Sequence, residues 1–156
     1  MKFADFVCVE AIRPELSATD KPGAIREMVA ALVEAGVIGS EDQEPIIASI
    51  LEREELGSTG IGRGVAIPHA KHAAVKKVVG TVGICPEGID FRALDGGQVF
   101  VVFLMMSPPD AREDHLKAMK KVADHLRNDT VSRFLRQSRS VADVRQVLDD
   151  ADSGAL

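Results

Sequence analysis

The sequence predicts an α/β (α+β) fold, a three-layer α/β/α sandwich around a mixed β-sheet, on the basis of three observations. The segment from Val99 to Met106 has no polar residue, which is typical of a central strand covered on both faces. Amphipathic helical patterns precede and follow this segment, and shorter strand patterns lie between them. Helices on both sides of such a strand give three layers, and 156 residues suit one domain.

The N-terminal third is predicted to contain one strand and two helices. Phe6 to Ile12 mixes β-branched and polar residues and predicts a first strand. Asp20 is suited to cap a first helix, whose apolar face repeats until Gly36. A second helix is expected after Gly39, with Arg53 in its last turn. Arg53 should therefore face the glycine-rich segment that follows.

The rest of the chain is predicted to alternate strands with helices. Val78 to Ile84 predicts a strand, and Pro86 to Gly88 predicts a turn after it. Ser107 to Asp110 ends the central strand and starts a helix with His115 in its first turns. Ser140 is suited to cap a last helix. In the helix that contains His115, the side chains predicted to face the core are Leu116, Met119, Val122, Ala123 and Leu126.

Composition limits the classes of protein that this chain could be. The predicted domain covers residues 1–149, and the acidic segment 150–156 is expected to be a frayed tail. A net charge of -5 and a pI of about 5.4 give no electrostatic reason to expect nucleic acid or an anionic membrane as a partner. Cys8 and Cys85 lie far apart without a CxxC pattern, which predicts neither a disulfide nor a zinc site. The longest apolar run is too short to span a bilayer, so we expect a cytoplasmic protein without direct membrane insertion.

The segment from Arg53 to His69 is the most informative, because four glycines lie between an arginine and a histidine. Glycine permits positive φ and lets backbone N–H groups approach an anion closely, which suits a phosphate. Val65 to Ile67 predicts a short strand, and Pro68 favours extended geometry before it. His69 is therefore expected at a strand end beside the loop. The residues predicted to bind the phosphate are Gly57, Ser58, Thr59, Gly60, Gly62 and Gly64.

Four other kinds of site match the sequence less well. A phosphate-loop motif ends in Gly-Lys-Ser/Thr, whereas Arg63-Gly64 ends this segment. A dinucleotide fingerprint has a different glycine spacing and is followed by a helix, whereas a strand is predicted here. His69 and His72 have no third metal ligand at a signature spacing, so we expect no metal. No serine lies in a Gly-x-Ser-x-Gly elbow, and Cys85 resembles an ordinary buried thiol.

The remaining interpretation makes His69 a phosphoryl acceptor. A neutral imidazole nitrogen is nucleophilic near neutral pH. The resulting phosphoramidate must be held by dipoles and cations that also stabilise the in-line transition state. The loop amides, the hydroxyls of Ser58 or Thr59, the guanidinium of Arg53 and a second imidazole are the candidates. Such a transfer requires neither a metal nor a cofactor.

These residues also resemble the signature of a known family. The run from Arg53 through Leu-Gly-Ser-Thr-Gly-Ile-Gly to Pro-His69 is similar, without a gap, to enzyme IIA domains of the bacterial phosphoenolpyruvate-dependent phosphotransferase system. The resemblance is to the fructose, mannitol and nitrogen-regulatory type. It continues through Gly88 to Gly96, Val101 to Met106 and Asp110 to Leu126, so it covers nearly the whole chain.

The resemblance implies roles for three side chains. His69 matches the histidine that is phosphorylated in the family, on Nε2, and Arg53 matches the arginine near the phosphate. His115 matches the second active-site histidine, which hydrogen-bonds the first. From the residues alone, Arg53 could equally be a cation at a helix C-terminus, and His115 a surface residue in a first turn. Ser58 and Thr59 match the family loop, where turn formation is an equal alternative to phosphate binding.

The function that the resemblance implies is that of a phosphocarrier. A histidine-containing phosphocarrier protein would donate to His69, and a IIB domain or a regulatory target protein would be the acceptor or partner. The chain is expected to act in trans, and it resembles the nitrogen-regulatory, signalling subtype most. Two alternatives remain, which are a IIA component of fructose- or mannitol-type sugar transport and a non-phosphorylated protein-binding module on the same fold.

Overall fold

A computed structural model of the chain describes residues 1–156. Its five α-helices are α1 Lys21–Glu34, α2 Gln43–Glu55, α3 Arg112–Leu126, α4 Asp129–Gln137 and α5 Val141–Ser153. Its five strands are β1 Gly60–Gly62, β2 Val65–Ala66, β3 His69–Lys71, β4 Val79–Ile89 and β5 Val99–Ser107. The two predicted caps are present, because the side chains of Asp20 and Ser140 accept hydrogen bonds from the first turns of α1 and α5. None of the helices is long and apolar enough to cross a membrane.

Strand β5 lies at the centre of a mixed sheet, as the sequence predicts. β4 pairs antiparallel with one of its edges, and β2 and β3 pair parallel with the other edge, one after the other. Val65 of β2 lies beside Val101, and His69 of β3 lies beside Met105. β1 extends the sheet by an antiparallel hairpin with β2. The N-terminal half of β5 therefore carries the hairpin, and its C-terminal half carries His69.

Two hydrophobic cores lie on opposite faces of this sheet, because successive side chains of a strand point to opposite faces. α1 and α2 cover the core that receives Val102, Leu104 and Met106 of β5. α3, α4 and α5 cover the core that receives Val101, Phe103 and Met105. The prediction of a three-layer α/β/α sandwich with a central buried strand is thus confirmed.

The first strand predicted at Phe6 to Ile12 is wrong. Two 3₁₀ turns, Phe3–Asp5 and Val9–Ala11, occupy this region, and the chain meets the outer edge of β4 only through isolated bridges. Side chains three residues apart lie on one side of a 3₁₀ turn, so Phe3 and Phe6 enter the same core. Burial of two aromatic rings outweighs the β-propensity of the segment.

The turn predicted at Pro86 to Gly88 is also wrong, because β4 continues through it to Ile89. Ile84 pairs with Val101 and Ile89 pairs with Val99, so the residues between them on β4 are opposed by a single residue of β5. This irregularity accommodates Pro86, which has no N–H to donate, without ending the strand.

The buried face of α3 differs from the predicted one by one position. Leu116 is 56% exposed, whereas His115 and Ala118 are buried together with Val122 and Leu126. The predicted face therefore placed an exposed leucine in the core and left out a buried histidine. The apolar pattern alone could not show this, because the buried histidine is polar and finds a hydrogen-bond partner inside the protein.

The segment 150–156 is predicted to be a frayed tail, but its first residues are helical. Helix α5 extends to Ser153. The carboxylate of Asp152 accepts hydrogen bonds from the backbone N–H groups of Phe3 and Ala4 and forms an ion pair with Lys121 at 2.9 Å. These contacts anchor the last turn of α5 to the N-terminus. The helix ends at Gly154, whose φ of +78° is a left-handed cap.

Candidate functional site

An open pocket lies at the C-terminal end of β5, between the last turns of α2, the start of β3 and the first turns of α3. Its volume is about 750 Å³. It is lined by Ser49, Glu52, Arg53, Leu56, His69, Ala70, Lys71, Arg112, His115 and Leu116. Three residues that the sequence predicts for the site, namely Arg53, His69 and His115, thus come together although 62 positions separate the first from the last.

The ring of His69 is held by the backbone just before it. Nδ1 of His69 lies 2.8 Å from the carbonyl oxygen of Ile67, which can only accept a hydrogen bond. In the neutral ring Nδ1 therefore carries the proton and Nε2 keeps its lone pair. Burial is the largest effect and lowers the pKa of His69 below its ordinary value of 6.5. The bond to Ile67 raises this pKa by less than burial lowers it, and the smaller charge effects are a lowering by Arg53 and Lys71 and a raising by Glu54. The ring is neutral at pH 7, with a free nitrogen available to the pocket.

His115 stands beside His69, with a distance of 5.8 Å between the ring centroids. It lies one turn into α3 and is only 7% exposed. Its Nδ1 lies 2.5 Å from Oγ of Ser107, the last residue of β5. Burial lowers the pKa of His115 as well, and the neighbouring His69 and Lys71 contribute in the same direction. The two imidazoles therefore share one pocket, and the orientation of each ring is fixed by a hydrogen bond at its Nδ1.

Arg53 closes the pocket from the last turn of α2, where the sequence places it. Its Nη1 donates to the carbonyl oxygen of Gly57 at 2.9 Å, which joins the guanidinium to the start of the glycine loop. No carboxylate forms an ion pair with Arg53, so its charge is not neutralised by the protein. The pocket contains two further cations, Lys71 and Arg112, against one carboxylate, that of Glu52. This excess of positive charge suits a dianionic group.

The structure places the glycine loop outside the lining of the His69 pocket, although its sequence suggests a phosphate cradle. None of Gly57, Ser58, Thr59, Gly60, Gly62 and Gly64 lines the pocket of His69. From Gly60 onward the segment forms the β1–β2 hairpin, whose turn has left-handed φ angles at Gly62, Arg63 and Gly64. The hairpin lies beside the N-terminal half of β5, at the other end of the strand from His69.

Several polar groups of the loop are already bonded within the protein. The N–H groups of Gly57 and Thr59 donate to the carbonyl and the carboxylate of Glu54, and that of Gly60 donates to Oγ of Ser58. Oγ of Ser58 in turn donates to the carbonyl oxygen of Phe91 at 2.9 Å. Of the two roles left open for Ser58, its contacts are those of turn formation.

Glu54 accepts the hydrogen bonds that hold the start of the loop, and the sequence did not identify it as a structural residue. Its side chain is 3% exposed, forms an ion pair with Lys21 at 2.9 Å and accepts from both the N–H and the hydroxyl of Thr59. Lys21 also lies 4.9 Å from the centroid of the Phe91 ring. The only sequence signal for Glu54 was its position directly after Arg53, near the end of the predicted helix.

Ser107 and Arg112 also belong to the site, and the sequence did not identify them as site residues. Ser107 was interpreted only as the end of a strand, although a polar residue that closes an entirely apolar strand is itself a signal of a buried partner. Arg112 had no signal, because its approach to His69 depends on how α3 packs on the sheet. The His69–His72 pair was not taken as a metal site, and no group of three His, Cys, Asp or Glu side chains in the structure could hold a metal ion.

Comparisons with known proteins show the family to which this sequence and fold are similar. Residues 5–151 match the family model described as phosphoenolpyruvate-dependent sugar phosphotransferase system, EIIA 2. The chain is 36% identical over 148 residues to a nitrogen regulatory protein of Bradyrhizobium diazoefficiens, with 95% of each chain covered. It is 34% identical to a fructose-specific EIIA component of Haloferax volcanii, with 90% of each covered. The fold superposes on the crystal structure of IIA-Ntr from Neisseria meningitidis with a TM-score of 0.84 at 29% identity, covering 94% of this chain and 98% of that one.

Proposed function

The chain belongs to the EIIA 2 family of the phosphoenolpyruvate-dependent sugar phosphotransferase system, and from this membership we propose that it is a phosphocarrier that accepts a phosphoryl group on His69. The donor in this proposal is a histidine-containing phosphocarrier protein. The role is that of a nitrogen-regulatory, signalling IIA component. A cytoplasmic location, in the same compartment as the donor, is part of the proposal.

The observation that carries the proposal is the hydrogen bond from Nδ1 of His69 to the carbonyl oxygen of Ile67. It leaves Nε2 without a proton, in a pocket whose cations outnumber its carboxylates by three to one. The lowered pKa of His69 keeps this nitrogen free at neutral pH. A nucleophile with a lone pair beside unpaired cations is the arrangement that phosphoryl transfer requires.

The transfer exchanges one phosphorus–nitrogen bond for another. The lone pair of Nε2 of His69 attacks the phosphorus in line, and the histidine nitrogen of the donor leaves with the electron pair of the broken bond. Nδ1 keeps its proton throughout, because the carbonyl oxygen of Ile67 continues to accept it. In this proposal Arg53 and His115, which line the same pocket as His69, stabilise the charge on the equatorial oxygens.

The regulatory role follows from what phosphorylation would change at the surface. Leu56 and Leu116, which are 84% and 56% exposed, form an apolar rim around the pocket. A phosphoryl group on His69 would place a dianion inside that rim and so change which partner binds there. Similarity to a nitrogen regulatory protein over 95% of the chain supports this role.

A second candidate function is that of a IIA component of fructose- or mannitol-type sugar transport. Similarity to a fructose-specific EIIA component at 34% identity favours it. In this case the phosphoryl group on His69 would pass to the cysteine of a IIB domain. The pocket would serve both roles with the same chemistry, so the acceptor distinguishes them.

The test of the phosphocarrier function is intact mass after incubation with phosphoenolpyruvate, enzyme I and the histidine-containing phosphocarrier protein. We expect one phosphate that is labile in acid and stable in base, absent from His69→Ala and present at reduced rate in His115→Ala. The absence of phosphate, with the donor proteins active on another acceptor, would overturn the proposal and leave a protein-binding module. Phosphate on a residue other than His69 would overturn the site.

The test of the regulatory role adds an isolated IIB domain of the fructose or mannitol type to the phosphorylated chain. If the role is regulatory, the IIB domain does not accept the phosphate, and His69 loses it only at the rate of hydrolysis. Rapid transfer to the IIB cysteine would instead establish the transport role. The His69→Ala variant, incubated under the same conditions, gives the background of direct transfer from the donor proteins.

A further inference from the structure

Ser107 connects the two strands and the helix that form the pocket. It ends β5, it lies beside Lys71 of β3, and its carbonyl oxygen accepts a hydrogen bond from the N–H of His72 at 3.0 Å. Its side chain points to α3, where Oγ lies 2.5 Å from Nδ1 of His115. The sheet that carries His69 therefore fixes the position of the hydroxyl that contacts His115.

The direction of the Ser107–His115 hydrogen bond follows from the number of partners. Ser107 is fully buried, and Nδ1 of His115 is the only hydrogen-bond partner of its hydroxyl. If His115 donated from Nδ1, the hydroxyl proton of Ser107 would be buried without an acceptor, at a cost of about 1–3 kcal/mol. The hydroxyl therefore donates to Nδ1, and the neutral ring of His115 carries its proton on Nε2.

We propose that Ser107 is a positioning residue that fixes His115 in the Nε2–H tautomer, so that an N–H group and not a lone pair faces the phosphoryl group on His69. This inference deepens the proposed function and rests on it for its catalytic consequence. The tautomer itself is a property of the unphosphorylated chain and is independent of that function.

The two histidines of the pocket are thus held in opposite tautomers by two different partners. A carbonyl oxygen accepts from Nδ1 of His69 and leaves its Nε2 as a nucleophile. A hydroxyl donates to Nδ1 of His115 and leaves its Nε2 as a hydrogen-bond donor. In the other tautomer of His115, a lone pair would face the negatively charged oxygens of the phosphoryl group and repel them. At metal-bound histidines, replacement of the partner that fixes the ring typically costs about 10- to 100-fold in affinity or activity, and we expect an effect of about the lower size here.

The experiment measures the tautomer and the transfer rate separately. Long-range ¹H–¹⁵N spectra of the unphosphorylated chain report which ring nitrogen of His115 carries the proton, with His115→Gln used to assign the signals. We expect protonated Nε2 in the wild type and in Ser107→Thr, and a mixture of both tautomers in Ser107→Ala. We expect the rate of phosphorylation of His69 to fall about 10-fold in Ser107→Ala and to recover in Ser107→Thr.

Thr81→Val is the matched control, because Thr81 is another fully buried hydroxyl of the same sheet, on β4, and contacts neither histidine. We expect it to lower the melting temperature as Ser107→Ala does while leaving the His115 tautomer and the transfer rate unchanged. A wild-type His115 that is protonated on Nδ1 overturns the inference, and so does a Ser107→Ala variant with unchanged tautomer and rate. A wild type with the expected tautomer that takes up no phosphate supports the assignment of Ser107 and overturns the proposed function alone.

Discussion

The pocket of His69 and the hairpin that the glycine loop forms from Gly60 onward are two parts of one sequence motif, yet they lie beside different halves of β5. The loop passes into a hairpin beside Val101, whereas His69 lies beside Met105. Every loop group described above is bonded inside the protein, through Glu54, Ser58 or the carbonyl oxygen of Phe91. The pocket, in contrast, contains cations without carboxylate partners and a nitrogen without a proton.

This difference separates groups that hold the fold from groups that remain available to a ligand. Buried polar groups that are fully bonded stabilise a local structure, and unpaired groups at a pocket surface can bind. Substitutions in the loop should therefore lower stability and leave phosphoryl transfer by the folded protein intact. Substitutions in the pocket should slow phosphoryl transfer and change stability little.

Replacement of Glu54 should have the largest effect and lies on the loop side of the comparison. Glu54→Ala removes the ion pair with Lys21 and both hydrogen bonds with Thr59, and Lys21 remains only 15% exposed. Removal of one partner of a buried pair costs about 3–5 kcal/mol of unfolding free energy. Denaturant unfolding measures this loss, and the transfer rate per folded molecule should be unchanged. Glu55→Ala, at an exposed neighbouring position, is the control and should change stability by less than about 0.5 kcal/mol.

Replacement of Arg53 tests the pocket side. Arg53→Ala removes a cation that no carboxylate of the protein neutralises, so the phosphorylation of His69 should slow about 100-fold, equivalent to about 2.7 kcal/mol of transition-state stabilisation. The bond to Gly57 is a single exposed hydrogen bond, so the unfolding free energy should fall by no more than about 1 kcal/mol. Quench-flow measurement of the transfer, together with denaturant unfolding, separates the two effects. Loss of the folded state in Arg53→Ala would show that the arginine belongs to the loop architecture.

Replacement of Gly60 tests whether the glycines of the loop serve packing. A Cβ at Gly60 would lie 2.8 Å from the Cβ and 2.9 Å from the Cα of Ala93, which is backbone and cannot move aside. Gly60→Ala should therefore cost about 2 kcal/mol of unfolding free energy, as other overpacked sites do, without slowing the transfer. Gly97→Ala is the matched control, because a Cβ there would meet only the flexible carboxylate of Asp95 at 3.3 Å. If Gly60→Ala slows the transfer without changing the stability, the loop takes part in phosphate binding and the packing role is contradicted.

The comparison also shows which features of this molecule can be predicted from its sequence. The apolar run of β5 predicted the three layers, because only a strand with helices on both faces can bury it. The caps at Asp20 and Ser140 were predictable, because capping depends on a few adjacent residues. The 3₁₀ turns at the N-terminus were not predictable, since the burial of Phe3 and Phe6 depends on a core formed by distant helices.

For the site, the sequence predicted which side chains meet in one pocket better than it predicted the arrangement of the loop. The motif and its resemblance pointed to Arg53, His69 and His115, and the structure places all three in one pocket. Glycines were interpreted as a phosphate cradle because their backbone freedom permits one, but the same freedom permits a tight hairpin against Ala93. Glu54 and Ser107 act through partners that are distant along the chain or in another element, so no local pattern could identify them.

The pH dependence of stability should give the smallest effect, and it should arise on the pocket side alone. The pKa of His69 and that of His115 lie below the ordinary value of 6.5 in the folded chain. The unfolded chain therefore takes up protons first as the pH falls, and the stability contributed by the two neutral rings is complete above about pH 6.5 and declines below it. Thermal unfolding measured between about pH 7.5 and pH 5 should show this decline. Carboxyl groups with lowered pKa, such as that of Asp152, lose their contribution only below their ordinary value of 3.8, outside this window.

The double variant His69→Gln and His115→Gln sharpens the test, because it removes both neutral rings and keeps polar side chains in the pocket. Its melting temperature should fall less steeply between about pH 6.5 and pH 5 than that of the wild type. Gly60→Ala should lower the melting temperature at every pH and leave the wild-type slope unchanged, since it alters packing and no titrating group. Equal slopes in the wild type and in the double histidine variant would place the pH-sensitive groups outside the pocket and contradict the assignment of two buried, neutral imidazoles to it.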